Sequence, residues 1–353
     1  MSERLAPAET DLPETSASRS MSQVFSAATA GLGPILPASA TRLGALAADF
    51  RLDPIFLLTN RTLKILALMR TTRTTDFRTV AVPPIFYGTA WKEDRTQALT
   101  LEAIATGFRA FDTANQRKHY VEQGVGAAVR AAIASGIVKR EDLFLQTKFT
   151  YQRGQDHRLP YNPDCSLTTQ VLQSIASSLE HLGVTRIDSY ILHGPSQRNG
   201  LSEADWETWH AMEDAADDGL VGLLGISNVA VDQVKALVCG ARIRPRFVQN
   251  RCFVRASWDR DMYTLCQKEN IVYQAFALLS GNRQALVQPC VTEIAHHHNK
   301  TVPQVIYRFA LELGMVPLTG TTDVSHMREA LDIFDFTLTR KEIETLLALR
   351  GPH

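Results

Sequence analysis

Polar side chains stand at the ends of successive short apolar runs. Asp112 follows residues 108–111, Lys148 closes the run that begins at 143, and His193 follows 189–192. Ser227 and Asn228 follow 223–226, and Gln249 follows 247–248. A carboxylate and an ammonium hold each other charged, and an imidazole beside them can pass a proton or orient a polar bond. Together they make an acid–base group able to polarise a carbonyl. Each residue alone has an ordinary explanation: the Asp as a turn residue, the Lys as a solvated end, the His as a satisfied core group. Their recurrence on one strand end after another points instead to a shared site.

For residues so far apart to meet, the apolar runs must be parallel strands that open on one face. Strand candidates span 85–87, 108–111, 143–147, 189–192, 223–226, 247–248, 271–275 and 315–318. Most are short, β-prone and apolar throughout, as strands buried on both faces are. Helical patterns lie between them. In 166–182, Val171, Leu172, Ile175, Leu179 and Leu182 share one face and Gly183 follows as terminator. Ser202 with Asp205 forms a capping-box pattern, with Gly219 ending that helix. A helix opening at Asp323 is expected to bury Met327, Leu331 and Phe334, and 289–314 has room for two helices. Strand and helix alternating eight times predict an α/β fold, a (β/α)8 TIM barrel with its active site at the C-terminal strand ends.

The chain has 353 residues, 45% of them hydrophobic, with Lys+Arg 37 balancing Asp+Glu 37. Zero net charge gives no electrostatic reason to expect nucleic acid or an anionic membrane as partner. No apolar run reaches the roughly 18 residues of a spanning helix. The cysteines, Cys165, Cys239, Cys252, Cys266 and Cys290, are odd in number and scattered, which fits a reducing compartment and a cytoplasmic location. Residues 79–353 would form the barrel. Residues 1–78 differ in texture: rich in Ala, Ser and Thr, acidic at first, then dotted with Arg. Three readings of this extension stay open: a poorly ordered appendage, an organelle-targeting segment, or sequence upstream of a start at Met69. Within it, 55–69 has the pattern of an amphipathic helix.

Gly88-Thr89-Ala90-Trp91-Lys92, then Asp112-Thr113-Ala114, Thr147-Lys148, Leu192-His193 and Gly225-Ile226-Ser227-Asn228, in this order, resemble the aldo-keto reductase family from about Val82 to the C-terminus. The resemblance implies NAD(P)H-dependent reduction of an aldehyde or ketone, with hydride from the cofactor and a proton from a Tyr. The family's Asp, Lys and His correspond to Asp112, Lys148 and His193. Its Tyr commonly lies five residues after the Asp, where this chain has Arg117; Tyr120 is expected to reach the same point through a longer loop. Lys148 would lower the Tyr120 pKa, Asp112 would orient Lys148, and His193 would orient the carbonyl. For the cofactor, NADPH with NADH as the alternative, the resemblance implies Gly88, Thr89, Ser227, Asn228, Gln249, Phe276, Thr319, Gly320, Thr321, His326 and Arg328. Phe276 stands where a ring stacks on nicotinamide. The 2′-phosphate clamp departs from the family pattern, with Leu318 and His326 in place of a Lys and an Arg.

Trp91, Phe149, Tyr151 and Trp258 are candidates to line the substrate pocket, and loop 151–165 to shape it. His296-His297-His298 suggests a metal, but adjacent helical residues point about 100° apart, so a solvated face and no metal are expected. Gly124-Val125-Gly126 lacks the third Gly of a dinucleotide fingerprint. The expected partner is a small-molecule carbonyl, and the expected assembly a monomer or weak homo-oligomer. Two further readings are a nicotinamide-binding regulatory barrel with little turnover, suggested by the displaced Tyr, and, more weakly, a metal-dependent hydrolase.

Overall fold

The computed structural model describes residues 82–350. The extension 1–78, with its helical pattern at 55–69, lies outside the described residues.

Eight parallel strands close in sequence order into a barrel, β8 pairing with β1. They are β1 (Phe86–Gly88), β2 (Ala110–Asp112), β3 (Phe144–Phe149), β4 (Ile187–Leu192), β5 (Val221–Ser227), β6 (Phe247–Arg251), β7 (Val272–Phe276) and β8 (Met315–Thr319). All eight expected runs are strands, most with ends a residue or more away from the sequence reading. Around them lie α1 (Thr96–Thr106), α2 (Glu122–Ala134), α3 (Leu167–Leu182), α4 (Glu203–Asp217), α5 (Val231–Gly240) and α6 (Arg260–Lys268). Then come α7 (Arg283–Leu286), α8 (Pro289–His297), α9 (Val302–Glu312), α10 (Val324–Leu331) and α11 (Arg340–Leu347).

Local chemistry sets these limits. Ser166 caps α3 by accepting from the Thr169 N–H, and Gly183 closes it at φ 69°. Ser202 and Asp205 form the expected capping box of α4. Asp323 caps α10 by accepting from the Ser325 and His326 N–H groups. That helix stops at Leu331, so Phe334 is 50% exposed rather than buried as its spacing suggested.

The strands alternate between two apolar layers. Phe86, Phe144 and Phe247, from strands that are not neighbours, bring their rings within 5.5–6.0 Å, so they face the barrel interior. With Ala110, Ile191 and Leu223 they form an inner plug. The opposite strand faces, including Leu145, Phe149, Tyr190 and Leu192, pack against the helices. At Gly126 an added Cβ would sit 2.1 Å from the His181 carbonyl oxygen. Only a glycine lets α2 approach the end of α3 this closely.

Candidate active site

Above the apolar plug the interior turns polar. Gln146 and Lys148 lie two residues apart on β3 and so share its inner face. Gln146 donates to Gln274 Oε1 (2.9 Å) and to Asp112 Oδ1 (2.7 Å). Gln249 donates to the same two oxygens at 3.0 Å. Lys148 Nζ donates to both Asp112 oxygens and to the Thr113 carbonyl, each at 2.7 Å. Asp112 therefore accepts from one ammonium and two amides while only 3% exposed. Burial pushes the Lys148 pKa down, and the carboxylate opposes this. An unpaired charge here would be prohibitive, so the pair and its glutamine floor form one unit.

Tyr120 lies over this unit. Its ring centroid is 5.3 Å from Lys148 Nζ and 6.0 Å from the His193 ring. No protein group among the described residues takes its hydroxyl, and Tyr120 lines a cleft of about 660 Å³. Burial, then the Asp112 charge, raises its pKa well above the usual phenol range, while Arg251 pulls it down. This differs from the downward shift expected from Lys148. All three Lys148 N–H groups are already taken, so none reaches the phenol. His193 shares a 2.7 Å hydrogen bond between Nδ1 and Thr150 Oγ1. Burial, reinforced by Lys148, pushes its pKa down to about 3, so the imidazole is neutral at ordinary pH.

The cleft lining includes Gly88, Trp91, Ser227, Asn228, Gln249 and Phe276. Ser227 Oγ donates to the Gln249 carbonyl (2.7 Å), and Asn228 Nδ2 donates to the His193 carbonyl (2.8 Å). These bonds leave the side-chain oxygens of Asn228 and Gln249 without a donor among the described residues. Phe276 carries the Arg251 guanidinium 5.4 Å from its ring centroid. Thr319 and Gly320 also line the cleft, beside Lys92, whose Nζ donates to the Gly320 carbonyl at 2.8 Å. Trp91, Asn228 and Ala277, all on the lining, have φ of 61°, 51° and 59°. Left-handed non-glycine residues commonly gather at functional sites.

Other expected residues fall elsewhere. Thr89 is fully buried, with its N–H and hydroxyl both donating to the Asp112 carbonyl (2.9 and 3.0 Å), so it braces the site from behind. Phe149 follows Lys148 on the strand and so points to the opposite face, into the outer core against Tyr151 and Tyr161. Trp258 is buried among the helices, its indole N–H donating to the Leu346 carbonyl (2.9 Å) and its ring 5.1 Å from Phe309. Neither reaches the cleft. Tyr151 does, although its hydroxyl is tied to Asp205 and Thr208. Of loop 151–165, Tyr151, Arg153 and Gly154 join the lining. Thr321, His326 and Arg328 lie beyond the lining, the first two around the start of α10 and Arg328 in its last turn, and Arg328 has no ion pair among the described residues.

The sequence reading missed Lys92, Gln116, His119 and Arg251 on the lining, and Gln146 and Gln274 beneath it. The two glutamines had a signal: each is a polar residue inside an apolar strand, two positions before a residue already singled out. His297 and His298 were expected on a solvated face. His297 does lie exposed, at 67%, His298 is partly buried, and both contact Glu342 of α11, at 2.9 and 3.0 Å.

A sequence profile of the aldo/keto reductase family matches residues 85–350. Protein REDOX 2 of Catharanthus roseus is 30% identical over 290 residues, covering 75% of this chain and 85% of that protein. Glyoxal reductase of Bacillus subtilis is 31% identical over 248 residues, covering 70% and 80%. The crystal structure of an aldo-keto reductase complexed with NADPH, AKR2E5, superposes with a TM-score of 0.66 at 26% identity, covering 76% of this chain and 85% of that one.

Proposed function

The chain belongs to the aldo/keto reductase family, whose reaction is NAD(P)H-dependent carbonyl reduction, and we propose that here Tyr120, His193, Lys148 and Asp112 carry it out. Small-molecule carbonyls are the family's typical substrates. The observation carrying the assignment is the free Tyr120 hydroxyl above a buried Lys148–Asp112 pair and beside a neutral His193.

NADPH is the cofactor, as in the related structures complexed with NADPH or NADP, and it supplies hydride when bound. The residues present fit it. The free side-chain oxygens of Asn228 and Gln249 suit a carboxamide N–H, and Phe276 offers an aromatic face. Lys92, bonded to a carbonyl and to no carboxylate among the described residues, has N–H groups left for a phosphate. Thr319 and Gly320 lie beside it.

The protein's own steps follow from its charges. Tyr120 is held fully protonated and gives its proton to the carbonyl oxygen as negative charge develops there. In the tautomer in which Thr150 donates to Nδ1, the His193 proton sits on Nε2, where a neutral N–H can orient the carbonyl. Lys148 stabilises the emerging phenolate through space; Asp112 and the glutamine floor keep it charged and immobile. Trp91, with Tyr151 and Arg153, forms the substrate rim.

NADPH oxidation by the purified protein, followed with a panel of aldehydes and ketones, tests this reading. Tyr120→Phe should cut turnover about 100- to 10,000-fold, the usual worth of a general acid, while NADPH still binds. Turnover unaffected by the substitution would move the proton donor to another group, His119 first.

A further inference from the structure

The histidines at the end of α8 do something that the catalytic cleft does not use. His297 Nδ1 lies 2.9 Å and His298 Nε2 3.0 Å from one and the same oxygen, Glu342 Oε1. The helix periodicity that separates neighbouring side chains is defeated by reach: one ring uses its near nitrogen and the other its far one. The three ligand atoms all lie within 4.8 Å of one another. The carboxylate cannot swing away, because its second oxygen accepts from the Thr339 N–H (2.7 Å) and hydroxyl (2.8 Å). His298 is packed 5.2 Å from the Phe336 ring, and its side chain and that of Glu342 are only 13% and 12% exposed. His297 is 67% exposed and leaves one side open to solvent. The nearby Lys300 charge is taken up by Asp332 and Asp335, both at 2.8 Å.

We propose that His297, His298 and Glu342 form a binding site for a divalent transition metal, zinc above all, clipping α8 to the C-terminal helix α11. Two imidazoles and a carboxylate suit zinc, nickel or copper rather than magnesium or calcium. Zinc bonds of about 2.0–2.2 Å in tetrahedral geometry put ligand atoms roughly 3.3 Å apart. The two nitrogen–oxygen gaps need to open by only a few tenths of an ångström, and the nitrogen–nitrogen gap, within 4.8 Å, must close by up to about 1.5 Å. On binding, each imidazole carries its proton on the other ring nitrogen, and water takes the open position. None of the three residues lines the cleft, so the ion acts on the architecture and not on the reaction. It would strengthen a tie on α11 that stands beside the bonds from Trp258 to Leu346 and from Gln288 to Arg350.

The test uses the full chain, freed of metal with a chelator and titrated with zinc chloride by calorimetry, with thermal unfolding and the cobalt(II) absorption spectrum in parallel. One equivalent of zinc should bind at micromolar concentration and raise the unfolding temperature, and cobalt should give a nitrogen–oxygen spectrum without thiolate bands. His297→Gln, an exposed substitution, should weaken zinc binding by more than the ~10–100-fold cost of losing an outer partner, abolish the thermal shift, and leave carbonyl reduction unchanged. His298→Gln should do the same to zinc. Binding of equal strength in both variants would place the ion elsewhere. No binding, or binding only at millimolar zinc, would leave the cluster a proton-bridged clasp. Either result overturns the proposal.

Discussion

At the scale of the residue, the cleft is a place where burial shifts the pKa of a few side chains. Lys92 is the most accessible to experiment. Burial, aided by the Arg95 charge, pushes its pKa down to about 8. It is a base with a depressed pKa, so the ammonium is present below pH 8 and lost as pH rises through that value. If its charge holds a cofactor phosphate, the KM for NADPH should rise above about pH 8. Lys92→Met should raise that KM about 10- to 100-fold at pH 7, the range of a charge-assisted hydrogen bond, and flatten its pH dependence. A KM that climbs equally in both proteins would remove Lys92 from the cofactor site. Asp112, Lys148 and His193 were legible in the sequence, because each polar residue interrupts an apolar run at its end. Tyr120 was less so, since loop length cannot be converted into position without coordinates. Arg251 and His119 gave no signal at all; charged residues in loops and at strand ends are usually solvated.

At the scale of the element, the period of two along each strand decides what faces the site. Lys148 and Gln146 point inward, so Phe149 between Lys148 and the next turn must point outward. The sequence reading listed Lys148 and Phe149 together as site residues, although strand geometry forbids both from facing one cavity. Helix contacts depend on finer detail. Gly126→Ala would set a Cβ 2.1 Å from a backbone oxygen of α3, and the backbone must move to relieve it. The cost expected for such overpacking is about 1–3 kcal/mol, or more here because no flexible side chain can yield. Thermal unfolding should show a midpoint several degrees lower, with kcat little changed in the cold. An unchanged midpoint would mean that α2 and α3 can separate freely.

At the scale of the whole molecule, the barrel gathers groups from several strands and spends the rest of its surface on stability. No helix among the described residues is long and apolar enough to cross a membrane. Because the proposed cofactor site draws on β1, β5, β6, β7 and β8 together, ligand binding should be felt by the whole fold. At 100 times its dissociation constant, NADPH should stabilise the protein by about 2.7 kcal/mol. NADH at equal concentration should shift the midpoint less if Arg328 engages the 2′-phosphate, and Arg328→Ala should then erase the difference. Equal shifts from both cofactors in the unaltered protein would show that Arg328 does not read that phosphate. The sequence by itself determined the strand count, the alternation that closes the barrel, and three of the four groups proposed to react, because hydrophobic period and strand-end polarity are local properties. Only the tertiary structure decided that Tyr120 lines the cleft, that Trp258 does not, and that two adjacent histidines share a carboxylate 44 and 45 residues away. Those outcomes depend on loop paths and on which faces of distant helices meet, and no local pattern encodes the distance between them.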